Sequence, residues 1–302
     1  MTPGPKFDDS QRRLIWHHAA MSRLLLFVPL CLLLAACGNP RANPQANNTP
    51  PDNSGPDGTG PNERPAIKLR PGSAAGDRFR TTRTLRVEEN TETERYLTES
   101  EEVTLTEVLR VDDAGRLMGV RRNWERSATK ITRGYGKPEE AKGDLDGCIL
   151  ELTQRANSVD AKLIAGDASI RGANFLIEGF DTGLLPLDPV RESDYWVLEG
   201  SRLAGLSRFI EAMQFKIEKN KLTCQLVEAT PAAARISLDW RLSGELRKAA
   251  AVMRFKGELV FDRKHGLISS FQLKGGPEGS DAQKIEIVIE RRAVSGWLDL
   301  DR

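Results

Sequence analysis

The sequence predicts a mainly β protein: a curved antiparallel sheet or half-barrel, in one piece or as two related lobes, with a short helical insertion. Three observations predict it. Apolar and polar residues alternate along many short runs, two turn sequences have hairpin chemistry, and one stretch alone repeats with a helical period. In "RFRTTRTLRVEE", Phe79, Thr81, Arg83, Leu85 and Val87 share one face, while Arg78, Arg80, Thr82, Thr84 and Arg86 share the other. A period of two is the mark of a half-buried strand. "VTLTEVLRV" repeats it with Val103, Leu105, Leu109 and Val111, and "AMQFKIE", "KLTCQLVEA", "ARISLDWRL", "MRFKGELVF", "LISSFQLKG" and "QKIEIVIERR" follow suit. Threonine and β-branched residues are plentiful, as a pleated surface favours.

The turns come next. "LRVDDAGRLMGV" and "LVFDRKHGLISSF" each place Asp after an apolar strand and Gly just before the next. Asp bonds to the backbone that follows it and Gly accepts positive φ, so both read as antiparallel hairpins. One hairpin lies in each half of the chain, which is the basis for expecting two lobes. The helix is predicted from Leu203, Leu206, Ile210 and Met213, spaced three, four and three apart on one face. The stretch before it, "LLPLDPVRESDYWVLEG", reads as a crossover between the lobes, with the helix against the concave side of the sheet.

Ahead of the β domain lie two segments of different character. The apolar run Leu24 to Ala36 is thirteen residues long and contains Pro29, whereas a membrane-spanning helix needs about 20 apolar residues. Arg23, the apolar run and the small residues at its end form a secretory signal, with translation expected to begin at Met21. Leu34-Ala35-Ala36-Cys37 closes it and resembles the lipobox of bacterial lipoproteins. That resemblance implies cleavage between Ala36 and Cys37, a diacylglycerol on the Cys37 thiol and an acylated new amino terminus. Several acyl chains hold a protein stably, each buried CH₂ adding about 0.8 kcal/mol. Gly38, rather than Asp, follows the cysteine, so the enterobacterial sorting rule implies the outer membrane, at its periplasmic face or surface.

From Gly38 to Ala66 there are seven prolines, six asparagines and four glycines, and no Leu, Ile, Val or Phe. Such a segment buries too little to offset its ordering entropy and reads as a tether. The expected organisation is therefore 1–36 as extension and cleaved signal, 37–66 as anchor and tether, and 67–302 as the β domain. From Cys37 onward 40 basic and 41 acidic residues remain. That balance argues against a nucleic-acid partner, which demands a basic surface.

Gly76-Asp77 before the first strand, the Asp-x-x-Gly hairpin and the Pro189-Val190 to Trp196 crossover resemble β-rich envelope lipoproteins with half-barrel folds, among them the lipoprotein-localisation factors. The resemblance implies binding of an apolar ligand or a lipidated partner within the curved sheet and transfers no catalytic residue. A structural or protein-interaction module without a pocket is the alternative, and a hydrolase the remote one.

Chemistry-bearing motifs are sparse. The mature chain has one histidine, His265, in a hairpin turn. Ser127-Ala128-Thr129-Lys130 matches the Ser-x-x-Lys pattern of penicillin-binding enzymes, but it follows a strand and lacks the partner motifs. Asp144 and Asp146 before Gly147 are a fragment of a calcium loop without the closing Glu. No metal, cofactor or catalytic residue is expected. Cys148 and Cys224 are the cysteines of the β domain, and export permits a disulfide between them; two separate buried thiols are the other reading. Trp124, Trp196, Trp240 and Trp297 are candidates to line a ligand cavity; core packing is the competing account.

Overall fold

The computed structural model describes residues 65–91, 93–113, 115–155, 158–170, 177, 183–211, 215–246 and 249–294. All belong to the second of two compact units, Thr59–Arg302. The strands are β1 (Arg78–Asn90), β2 (Arg95–Val111), β3 (Leu117–Arg133), β4 (Glu139–Lys142), β5 (Ile149–Gln154), β6 (Val159–Ala165), β7 (Tyr195–Glu199), β8 (Phe215–Ala229), β9 (Ala233–Leu246), β10 (Ala249–Asp262), β11 (Leu267–Pro277) and β12 (Gln283–Ala293). They make one curved antiparallel sheet in the order β6-β5-β3-β2-β1-β12-β11-β10-β9-β8-β7, with β4 also on β3. The sheet does not close into a barrel. Helix α1 (Ala204–Glu211) follows a 3-10 turn at Gly200–Leu203.

The chain path explains that order. Hairpins carry the chain outward from β1 to one edge at β6. The connection after β6 then takes it to the far edge at β7, and hairpins bring it back until β12 pairs with β1. Both predicted hairpins are present, and their turns are built as expected. Asp112 accepts from the Arg116 backbone N–H at 2.8 Å and Asp262 from those of Lys264 and His265 at 2.9 and 3.0 Å. Gly115 and Gly266 take φ values of 77° and 63°, which glycine alone adopts without steric cost.

Cross-strand register shows how one sheet holds two cores. Residues directly opposite share a face, so the row Trp124–Thr104–Thr81–Arg291 joins β3 to β12 on a single side. Trp124 belongs to a small cluster with Val120, Leu150, Leu152 and Ile177. Beyond Arg291, the same side continues as Ile289, Phe271, Leu259 and Ile236 of a larger cluster. The crossover after β6 contributes Ile177 to the first cluster and Leu184, Leu185 and Val190 to the second. The two halves are thus two apolar cores on one side of a continuous sheet.

Helix α1 packs where its spacing put it. Leu203, Leu206 and Ile210 are buried in the larger cluster, while Met213 lies outside the described residues. A relay of hydrogen bonds fastens it: Trp240 Nε1 donates to Asn220 Oδ1 at 2.6 Å, Asn220 Nδ2 to Ser207 Oγ at 2.6 Å, and Ser207 Oγ to the Leu203 carbonyl at 2.9 Å. The segment before β1 is fixed too. Ile67 and Val190 exchange backbone hydrogen bonds of 2.8 and 2.9 Å, and Leu69 is buried in the larger cluster.

Three details depart from the sequence reading. "AMQFKIE" and "KLTCQLVEA" are not two strands, since Phe215–Ala229 runs through both, with bulges at Ile217/Lys219 and Leu226/Glu228 absorbing the broken alternation. In β2 the core residue is Val108, fully buried, and Leu109 is 39% exposed. A bulge there, between Val108 and Arg110, shifts the pattern. Val103 and Leu105 are buried on the opposite side from Thr104, Thr106 and Val108, so this strand is apolar in part on both faces.

Candidate functional site

Between the two apolar cores, the covered side of the sheet carries a polar seam. Thr81, Thr104, Thr106, Arg122 and Arg291 are all buried in it. A hydroxyl taken from water must find a partner. Arg122 Nε donates to Thr106 Oγ1 and Arg291 Nε to Thr81 Oγ1, each at 3.3 Å. Each guanidinium also lies over a ring, Arg122 above Trp124 at 5.5 Å and Arg291 above Phe79 at 4.7 Å. A weakly hydrated cation over a π face is a stable arrangement in a dry setting. Next to them Arg83 and Glu102 pair at 3.9 Å across β1 and β2.

The tryptophans occupy this covered side. Trp240 is fully buried, lies 5.4 Å from the Phe255 ring between centroids, and spends its N–H on Asn220. Trp124 is buried in the small cluster. Trp196, half-buried on β7, donates to the Leu184 carbonyl at 3.0 Å and so ties the crossover to the sheet edge. None of the three lines either of the two clefts described below. Ala36, Cys37 and Trp297 lie outside those residues.

The two cysteines do not form the disulfide that export would allow; both thiols are free. Cys224 sits in β8 within the larger cluster, while Cys148 immediately precedes β5 on the other half of the sheet. A bridge requires α carbons within about 7 Å, and eight strand positions separate β5 from β8. Burial pushes the Cys224 thiol up to about 12.

The remaining motifs find ordinary places. Ser127 and Lys130 sit three apart on a strand and therefore project from opposite sides of β3. Asp146 accepts from the Ser127 backbone N–H at 2.8 Å and pairs with Lys142 at 3.0 Å, so the "GDLDGC" stretch is a turn pinned to β3. Those hydrogen bonds, Ser127 first, hold its carboxyl below the usual range. His265 Nδ1 is 2.7 Å from Asp262 Oδ2 in the hairpin turn. Among the described residues no three His, Cys, Asp or Glu side chains gather as a metal site would need.

The outer side of the sheet is a field of cross-strand ion pairs. Arg78 and Arg121 share Glu107 at 3.0 and 3.6 Å, Arg121 reaches Glu151 at 2.6 Å, and Lys274 pairs with Glu286 at 3.0 Å. Hydrogen bonds from Arg254 to Asp239 and from Lys274 to Glu286 lower both carboxyls. Two clefts open on this side, each spanning β1, β12 and β11, one toward the start of β12 and the other toward its end. One, of about 610 Å³, is floored by Gly275 and Gly276, with its rim charges mostly paired. The other, of about 480 Å³, is lined by Arg80, Thr82, Ser269, Ser270, Glu290 and Arg292, together with Arg291. Sequence reading missed these residues because Arg80 and Arg292 belong to strands at opposite ends of the domain.

What these features define is a class by architecture: an open, single-sheet antiparallel β protein with its core on one side and a charged outer face. Comparison with protein-family models and with curated proteins returned no match to this chain.

Proposed function

We propose that this is a lipid-anchored protein of the bacterial cell envelope that works as a non-enzymatic binding module, using the charged outer face of its sheet. The lipobox-like Leu34-Ala35-Ala36-Cys37, the apolar signal and the tether support the anchor. One structural observation favours a module over a carrier. On the side of the sheet where an apolar ligand would lie, Trp240, Phe255, Phe271 and Leu273 are fully buried in one cluster with the chain's own Leu184, Leu185, Leu203, Leu206 and Ile210. A second reading, an apolar ligand or lipidated partner held on that same side, has its own support in Leu85 and Val87, which pack only partly buried at the margin of the larger cluster.

Native mass spectrometry of the mature chain from envelope extracts separates the two. The module reading expects the mass of the acylated chain alone; additional apolar mass that leaves on denaturation overturns it in favour of a carrier. The anchor has a separate test. Cys37→Ser abolishes the acylation site, and the variant is expected to lose the acyl mass and resist signal cleavage. Wild-type-like acylation in that variant would disprove the role of Cys37.

A further inference from the structure

We propose that the smaller outer cleft binds a phosphate group that still carries an acidic hydrogen, either inorganic phosphate or a phosphomonoester. This goes beyond the anchored-module reading and does not depend on it. Arg80 and Arg292 stand directly opposite each other across β1 and β12 on the outer side. Like charges set opposite on neighbouring strands repel. Two other such oppositions on this face are relieved by carboxylates. For Arg241 and Arg254 these are Glu278 and Asp239; for Lys256 and Lys274, Asp239 stands opposite the first and Glu286 pairs with the second.

No such relief reaches Arg292, which has no ion pair among the described residues. Arg80 has a carboxylate nearby, its Nε 2.8 Å from Glu125 Oε2, but the N–H is not aligned as a hydrogen bond. One row further along, Glu290 stands between Thr82 on β1 and Ser270 on β11. The side chains of Thr82, Ser270 and Glu290 make no hydrogen bond among the described residues. Among the residues lining this cleft, the guanidiniums of Arg80 and Arg292, the hydroxyls of Thr82 and Ser270 and the carboxylate of Glu290 keep most of their hydrogen-bonding capacity unspent, while Ser269 and Arg291 are bonded to Val260 and Thr81.

That set has a definite preference. Guanidinium pairs recognise oxyanions through charge-assisted, often bidentate hydrogen bonds. Hydroxyls adapt as donors or acceptors, but an ionised carboxylate only accepts. Glu290 thus repels a fully ionised oxyanion and favours one with an O–H to donate. Inorganic phosphate near neutrality has that hydrogen, and so does a phosphomonoester near its second pKa of about 6. Sulfate and phosphodiesters do not.

The test is calorimetric titration of the full chain, with phosphatidylcholine vesicles present, at low ionic strength near pH 6. Inorganic phosphate is expected to bind saturably, and sulfate to bind at least tenfold more weakly. Arg80→Gln and Arg292→Gln should each weaken phosphate by about tenfold, since each removes charge-assisted hydrogen bonds. Glu290→Gln should abolish the preference for phosphate over sulfate. Arg235→Gln, on the same face but paired with Glu228, should change nothing.

A melting experiment guards against misfolding. Without phosphate, Arg292→Gln should melt no lower than wild type because it relieves the repulsion, and phosphate should raise the melting temperature of wild type but not of the variant. Adding phosphatidic acid to the vesicles identifies the source: loss of free-phosphate binding assigns the site to a lipid headgroup, and unchanged binding assigns it to soluble phosphate. Absence of saturable phosphate binding, indifference to both arginine substitutions, or equal binding of sulfate by wild type overturns the proposal.

Discussion

Trp240, Trp124 and Trp196 all point to the side of the sheet that the chain itself covers, and the polar ends of Trp240 and Trp196 are spent on Asn220 and Leu184. Their letters were equally compatible with a ligand cavity, because a large amphipathic ring serves either role. The cysteines were ambiguous for a similar reason. Export allows a bridge, but only strand order reveals that β5 and β8 lie far apart. Buried and held at a pKa of about 12, Cys224 is expected to resist alkylation in the folded protein, since the thiolate is the reactive form. Mass spectrometry after iodoacetamide treatment at neutral pH checks this: little label on Cys224 natively, and label on both Cys148 and Cys224 in denaturant without reductant. Labelling of neither in denaturant would mean that a disulfide exists after all.

At the scale of elements, hairpins were the most legible feature. The Asp and Gly of each turn act within five residues of one another, so their chemistry is complete in the local sequence. Strand limits were less legible. Lys219-Asn220-Lys221 interrupts the apolar alternation of β8, and the break has a structural use, because Asn220 turns inward to join Trp240 to Ser207 of α1. β4 offered no signal, all four of its residues being exposed. The relay itself is testable. Trp240→Phe keeps most of the apolar contact with Phe255 but leaves Asn220 Oδ1 without its donor, which costs about 1 kcal/mol for an acceptor that is only part-buried. Chemical denaturation should register that loss, and Trp240→Phe, Asn220→Leu together should not add a second loss of the same size. Full additivity would show that the two residues act independently.

Across the whole molecule, outer-face carboxylates set the response to acid. Hydrogen bonds from Arg95, Arg254 and Lys274 lower Glu88, Asp239 and Glu286 respectively. For Asp262, burial opposes ionisation, but hydrogen bonds from His265 and the turn backbone outweigh it. A carboxyl whose folded pKa lies below its unfolded value of about 4 contributes stability above that value and loses it as pH falls through the folded pKa. Each contribution is small at exposed positions. The melting temperature should therefore vary little from these groups between neutrality and about pH 5, then fall below about pH 4. A melting temperature that holds or rises on acidification below that point would contradict the ion-pair assignment.

The sequence by itself determined the β class, the two hairpins and the helical face of Leu203, Leu206 and Ile210, since alternation, turn chemistry and helical spacing are local properties of the chain. Its leader supplied the reason to expect an anchor. Tertiary structure alone decided that β12 returns to pair with β1, that the crossover fills one side of a single sheet, and that Arg80 meets Arg292. Those outcomes depend on which distant strands become neighbours, and neighbours are chosen by where buried surface can be gathered from across the whole chain. Local periodicity tells a strand which face to bury but does not name the strand beside it.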